Sequence, residues 1–184
     1  MENILLHYPE DLRRKAARIR AIVFDVDGVL TDGGIIYSNS GDEAKRFHVR
    51  DGAIIRPLKE EGFITGAITG RSSELVEYRM NELKVDFCFQ AVKNKFSKIR
   101  EIAERHSLEL DEICYIGDDM IDMASLEAVG LGAVPADTPN YVADVADLIT
   151  KAKGGEGVLR EVADFVLAAQ GKMQKVLESF TSRK

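Results

Sequence analysis

Short apolar runs alternate along this chain with stretches in which apolar side chains return every third or fourth position. The run Ala21-Ile22-Val23-Phe24 shows no polar alternation and stops at Asp25-Val26-Asp27-Gly28, which predicts a strand buried on both faces. Comparable runs predict strands at residues 63–68, within 84–90, within 111–116, at 131–134 and at 145–150. Helices are expected between them. Residues 9–20 place acidic side chains first and basic ones later, as a helix dipole favours. Residues 50–61 open with Asp51 as N-cap and close at Gly62, and residues 73–83 put Leu75, Val76, Met80 and Leu83 on one face. In residues 97–106, Ile99, Ile102, Ala103 and His106 share a stripe, so His106 is expected to be structural. A helix runs from Asp122 to about residue 129. The last helix follows Gly154-Gly155-Glu156-Gly157, with Val162, Phe165, Val166 and Ala169 inward, and ends at Gly171. Residues 172–184 read as a polar tail, mobile unless a partner holds it.

Residues 33–49 follow another pattern. Gly34 to Ser38 and Lys45 to Val49 flank Asn39-Ser40-Gly41-Asp42, a strong turn signal, and predict a β-hairpin projecting from the end of the first strand. Ile35, Ile36, Tyr37, Phe47 and Val49 cannot all be covered within one hairpin, so a second subunit is expected against it. His48 is expected at the hairpin surface or interface. Strand and helix otherwise alternate throughout, which predicts an α/β fold, a Rossmann-like doubly wound parallel sheet, in a single domain over residues 1–184.

Composition narrows the function classes. A formal net charge of −6 argues against a general binder of nucleic acid or membrane surface. An acidic protein that handles an anionic substrate needs local positive charge, and a bound cation supplies it. Cys88 and Cys114 sit in apolar, strand-like stretches without a ligand at metal-binding spacing, so both are expected to be buried thiols in a reducing cytoplasm. The first twenty residues hold no long apolar run, and neither a signal peptide nor a membrane span is expected.

The candidate chemistry lies in the strand-to-helix turns, all at one end of the expected sheet. Asp25 and Asp27 follow the first strand, Thr69 and Gly70 the second, Lys95 the third, and Asp118, Asp119 and Asp122 the fourth. One carboxylate of the first pair can attack an electrophile while its neighbour handles a proton. Thr69 and the backbone N–H groups beside it make an anion site. Asp118 and Asp122 stand at i, i+4 spacing, which allows them one helix face. Five converging carboxylates repel one another unless a cation is bound, and an all-oxygen set with a phosphate ligand favours Mg2+. Each turn alone has the ordinary reading of a helix cap; together they predict an aspartate-based phosphoryl-transfer site.

In this order DVDGVLTD, ITGR, Lys95 and GDDMID resemble the haloacid dehalogenase superfamily of phosphatases. The resemblance implies that Asp25 forms an aspartyl-phosphate and that Asp27 protonates the leaving alcohol, then deprotonates water. It implies that Thr69 and Lys95 bind phosphoryl oxygens. Asp25, Asp118 and the Asp27 carbonyl would ligate Mg2+, with Asp119 and Asp122 in support. Only residues 33–49 occupy the place of a cap domain. The whole chain, including Arg50-Asp51-Gly52 and Gly154 to Glu161, is similar to the family of 3-deoxy-D-manno-octulosonate 8-phosphate phosphatases. That family is capless and tetrameric, with a neighbouring subunit closing each site. The resemblance implies that Arg71, with Arg50 and Arg79, meets the carboxylate of a phosphorylated sugar acid, and that the pathway is lipopolysaccharide inner-core synthesis. Two rivals stand beside it. One is the same chemistry on 2-keto-3-deoxynononate 9-phosphate, where Glu rather than Arg is associated with position 71. The other is an inactive tetramerisation module, which needs none of Asp25, Asp27, Thr69, Lys95 and Asp118.

Overall fold

The computed structural model describes residues 2–181. Its strands are β1 (Ala21–Phe24), β2 (Ile36–Tyr37), β3 (Glu43–Ala44), β4 (Ile64–Ile68), β5 (Phe87–Phe89), β6 (Ile113–Ile116), β7 (Leu131–Val134) and β8 (Leu148–Ile149). Its helices are α1 (Glu2–Leu5), α2 (Glu10–Arg18), α3 (Val49–Glu60), α4 (Glu74–Leu83), α5 (Lys95–His106), α6 (Met123–Ala128), α7 (Asn140–Ala143), α8 (Val158–Ala169) and α9 (Met173–Thr181). No helix among the described residues is long and apolar enough to cross a membrane.

Six strands form one parallel sheet in the order β5-β4-β1-β6-β7-β8, and β2 pairs only with β3. The central strand explains the unbroken apolar run. Ile22 and Phe24 point into a layer built by α2, α3, α4, α8 and α9, while Ala21 and Val23 point into one built by α5, α6 and α7. Successive side chains of a strand face opposite ways, so a strand covered on both faces must be apolar at every position. β6 repeats the division, with Cys114 and Ile116 on the first side and Ile113 and Tyr115 on the second. The chain passes from β1 to β4 on one side and later returns to β6 on the other, pairing Phe24 with both Ala67 and Ile116. The crevice above their carboxyl ends is a topological switch point, where open α/β sheets place their ligands.

Several local expectations change. The hairpin ladder is only two residues per strand, Ile36 opposite Ala44 and Tyr37 opposite Glu43. Residues 45–49 leave it because tertiary contacts claim them. Lys45 turns inward, Phe47 packs on the core beneath the Arg79 guanidinium, and His48 caps α3 by accepting the Arg50 N–H. His48, not Asp51, is therefore the N-cap. Asp51 lies inside α3, buried, and its carboxylate accepts the Arg160 N–H in the first turn of α8. A capping residue of one helix thus serves another, which neither helix reveals alone. Burial raises the Asp51 pKa to about 6, against the lowering effect of that N–H.

Leu75 is more than one-third exposed, although Val76 and Met80 on the same helix are buried. Cys88 is half-buried because β5 is an edge strand, whereas Cys114 on β6 is fully buried. His106 sits half-buried with its ring 6.0 Å from that of Phe87. The expected mobile tail is instead helix α9 through Thr181; residues 182–184 lie outside the described residues. Gly171 at φ +68° reverses the chain, with its N–H bonded to Ala168 O and that of Lys172 to Leu167 O. Met173 and Val176 then bury against the core, and Lys175 pairs with Glu61 at 2.7 Å. Leu177 and Phe180 remain exposed.

The Asp51 cap gives a stability prediction. Asp51→Ala should lower unfolding free energy by about 1–2 kcal/mol in urea titrations, while Asp51→Asn, which keeps an acceptor oxygen, should cost less. Equal stability of Asp51→Ala and the unaltered protein would exclude the cap.

Candidate active site

The floor of the crevice is Asp25. Its backbone N–H continues the β1–β6 ladder to Ile116 O at 2.9 Å, which delivers the side chain just beyond the sheet edge. Its Oδ1 accepts the Val26 N–H at 2.6 Å and its Oδ2 accepts Lys95 Nζ at 2.5 Å. Lys95 is the first residue of α5, held there by Asn94, whose side chain caps the helix through the Ser97 N–H. Its Nζ also donates to Asp122 Oδ1 at 2.7 Å. Lys95, Asp25 and Asp122 are all buried.

Asp122 is an organiser of the loop after β6. Its Oδ2 accepts the N–H groups of Asp118 and Asp119, at 3.1 and 3.2 Å, and its Oδ1 also accepts the Tyr115 hydroxyl at 2.6 Å. Asp118 and Asp122 therefore share no helix face, as their spacing had allowed. Asp118 lies in the loop, and Asp122 turns back from the start of the helix to cap it. Asp119 accepts the Met120 N–H at 2.7 Å.

Around this floor runs a cleft of about 270 Å3 lined by Asp25, Asp27, Thr69, Gly70, Arg71 and Asp118, with Gly28, Gly33, Asp119 and Ile121 completing the wall. Thr69 is buried, its N–H tied to Phe89 O at 2.9 Å and its Oγ1 accepting the Arg71 N–H at 3.3 Å. It precedes α4 by several residues, so its anion-binding potential comes from the loop and not from a helix end. Gly28 has φ +87°, and a Cβ there would overlap the Asp118 carboxylate. The turn therefore needs a glycine both for its conformation and for the approach of that side chain.

Arg71 reaches the hairpin, donating to Tyr37 Oη at 3.1 Å and Glu43 Oε1 at 3.2 Å, with Nε 3.7 Å from Asp27 Oδ2. Arg50 and Arg79 do not line this cleft. Arg50 borders a separate hollow with Tyr8, Glu156 and Arg160, and Arg79 pairs with Glu82 at 2.7 Å behind α3. Two participants were not legible in the sequence. Tyr115 reads as one more apolar strand residue, and Lys45 reads as a solvated hairpin charge; Lys45 in fact ion-pairs with Asp27.

Electrostatics divide the cluster. Burial raises the Asp25 pKa to about 6; Lys95 opposes the rise and Asp122 adds to it. Burial, then Asp25 and Asp122, raises that of Asp118 to about 7. Burial works against the Lys95 charge, but Asp25 and Asp122 outweigh it and hold its pKa above the ordinary value. The Tyr115 hydroxyl stays protonated, pushed up by burial and by Asp122.

Carboxylate oxygens of Asp25, Asp118 and Asp122 lie within 4.8 Å of one another. Those of Asp122 already accept Lys95, Tyr115 and two backbone N–H groups, so Asp25 and Asp118 are the better donors. Asp118 Oδ1 is buried without a hydrogen-bond partner, the state of an oxygen awaiting a cation. An all-oxygen donor set with raised pKa values fits a hard divalent ion.

Residues 89–162 match the haloacid dehalogenase-like hydrolase family. The 3-deoxy-D-manno-octulosonate 8-phosphate phosphatase of Escherichia coli is 39% identical over 165 residues, covering 90% of this chain and 88% of the relative. The enzyme of that name from Moraxella catarrhalis, crystallised with magnesium, phosphate and KDO, superposes with TM-score 0.91 at 35% identity, over 94% of this chain and 99% of that one. The cobalt-bound deoxy-D-mannose-octulosonate 8-phosphate phosphatase of Haemophilus influenzae gives TM-score 0.86 at 32% identity, over 91% and 99%.

The raised pKa values set a pH dependence. Ionising Asp25 and Asp118 costs the metal-free fold stability that is present in acid and lost as pH rises through about 6 and about 7. A divalent cation reverses that loss, because it binds the ionised carboxylates. Millimolar Mg2+ should raise Tm in thermal-shift scans at about pH 8 and raise it much less at about pH 5. Asp118→Asn should remove most of the gain.

Proposed function

The chain belongs to the 3-deoxy-D-manno-octulosonate 8-phosphate phosphatase family of haloacid dehalogenase-like hydrolases, and on that premise we propose that it hydrolyses this ester to the free sugar acid and phosphate. It is a phosphoric monoester hydrolase of that family. The observation that carries the mechanism is Asp25, buried and paired with Lys95 at the cleft floor, with Asp27, Thr69 and Asp118 around it.

In this reading the Asp25 carboxylate attacks phosphorus, and the bond from phosphorus to the sugar oxygen breaks as Asp27 gives that oxygen a proton. An aspartyl-phosphate is left on Asp25. Water then enters, Asp27 takes its proton, and phosphate departs with Asp25 restored. Lys95, paired with Asp25 Oδ2 at 2.5 Å, keeps the nucleophile in place and offsets its charge against the phosphate. Thr69 and Gly70 receive phosphoryl oxygens at the cleft wall. Mg2+ held by Asp25, Asp118 and the Asp27 carbonyl would draw charge from those oxygens.

Arg71 is the cleft's candidate partner for the sugar-acid carboxylate, since a guanidinium can bind one through two parallel hydrogen bonds. Arg50 and Arg79 lie away from their own cleft, so in this reading they meet substrate only from a neighbouring subunit. Exposed Ile35, Ile36 and Tyr37 on the hairpin, at 43%, 60% and 60%, support packing against further copies in a tetramer. The product would feed lipopolysaccharide inner-core synthesis in the cytoplasm. The relatives bearing the eight-carbon name support this substrate over the nine-carbon analogue and over an inactive module.

Phosphate release from the eight- and nine-carbon esters, assayed side by side, should favour the eight-carbon ester and stop when a chelator removes Mg2+. Preference for the nine-carbon ester would overturn the substrate, and release from neither would overturn the function. Asp25→Asn should lower turnover at least about 1,000-fold with its oligomeric state unchanged. Light scattering should give the mass of four chains, and a stable monomer would exclude the tetramer.

A further inference from the structure

Lys45 stands between two exposed residues of the hairpin, Ala44 and Arg46, yet its own side chain has no exposed surface. Burying an ammonium costs both hydration and the rotamer freedom of a long side chain, and anionic partners must offset that cost. Its partners are Asp27 Oδ1, which it contacts directly, and Glu43 Oε1 at 3.4 Å. The other Asp27 oxygen, Oδ2, is buried without a hydrogen-bond partner, with Arg71 Nε 3.7 Å away. The carboxyl group thus has one oxygen held and one left over.

The hairpin is itself tied down at this point. Glu43 Oε2 accepts the Ser73 hydroxyl at 2.5 Å and Glu43 Oε1 accepts Arg71 Nη2, while Tyr37 Oη accepts a second bond from the same nitrogen. These contacts join the hairpin to the loop after β4 and fix where Lys45 enters. An ammonium donates hydrogen bonds and accepts none. While Lys45 donates to Oδ1, a proton on Asp27 must reside on Oδ2.

Resting on the phosphatase reading above, we propose that Lys45 is a positioning residue for proton transfer at Asp27. It holds Oδ1, so that Oδ2 is the oxygen that hands its proton to the departing sugar oxygen. As the bond from Asp25 to phosphorus forms, the bond from phosphorus to the sugar oxygen breaks, and the Oδ2 proton moves to that oxygen. Lys45 itself neither gains nor loses a proton. A sugar alkoxide is a poor leaving group that needs this proton, whereas p-nitrophenolate departs without one. Loss of Lys45 must therefore act on one ester and spare the other.

The test compares wild type, Lys45→Met and Lys45→Arg in single-turnover release of the sugar acid from 3-deoxy-D-manno-octulosonate 8-phosphate and of nitrophenol from p-nitrophenyl phosphate. Lys45→Met should slow sugar release at least about 30-fold with KM little changed, and nitrophenol release less than about threefold. Lys45→Arg keeps a charged donor at a different reach. It should show the same split at about a tenth of the size, and it carries the test should Lys45→Met not fold by circular dichroism. Equal losses on both esters, or a rise in KM alone, would overturn the positioning role while leaving the phosphatase reading intact. A wild-type protein inactive on both esters would overturn that reading, and Lys45's role with it.

Discussion

The buried ammonium of Lys95 holds the floor of the site together. Lys95 Nζ lies 2.5 Å from Asp25 and 2.7 Å from Asp122, with all three groups withdrawn from water. Removing such charges from solvent costs several kcal/mol each unless geometry and further hydrogen bonds compensate. The compensation is complete around Asp122, which also accepts Tyr115 and two backbone N–H groups. It is incomplete around Asp118, whose Oδ1 has no partner. The cluster is thus satisfied on its inner side and left wanting a cation on its cleft side.

That arrangement depends on the sheet. Parallel strands with helical crossovers bring every strand-to-helix turn to the same edge, so residues far apart in sequence meet without any long-range signal of their own. β1 supplies Asp25 and Asp27, β4 leads to Thr69, β5 to Lys95 and β6 to Asp118. The hairpin adds what the sheet cannot. It places Lys45, Glu43 and Tyr37 against Asp27 and Arg71 at the cleft's wall, in the position where a cap domain would insert.

How much of this was legible varies by element. The four chemistry-bearing strand-to-helix turns announce themselves because apolar runs end abruptly in polar, acidic or glycine-containing segments. His48 takes the N-cap place expected of Asp51, and Asp51 turns to α8 instead, because either type can accept a helix N–H and only the packing of α3 on α8 decides which one it meets. Residues 172–181 look polar in composition, but Met173 and Val176 suffice to dock them as α9. Lys45 carries no local signal, since a lysine in a hairpin is ordinarily solvated.

The sequence by itself determined the alternation of strands and helices, the crevice at one sheet edge and the candidate residues that gather there. Those features follow from local periodicity and from the fixed handedness of parallel crossovers, which act over a few residues or on the topology as a whole. Only the tertiary structure decided which side chains are paired, capped or left unsatisfied: Asp122 behind Lys95, Asp118 facing the cleft, Asp51 on α8, and Lys45 on Asp27. The reason is physical. A charged side chain has several solvated alternatives of similar free energy along the chain, and burial among particular neighbours selects one of them.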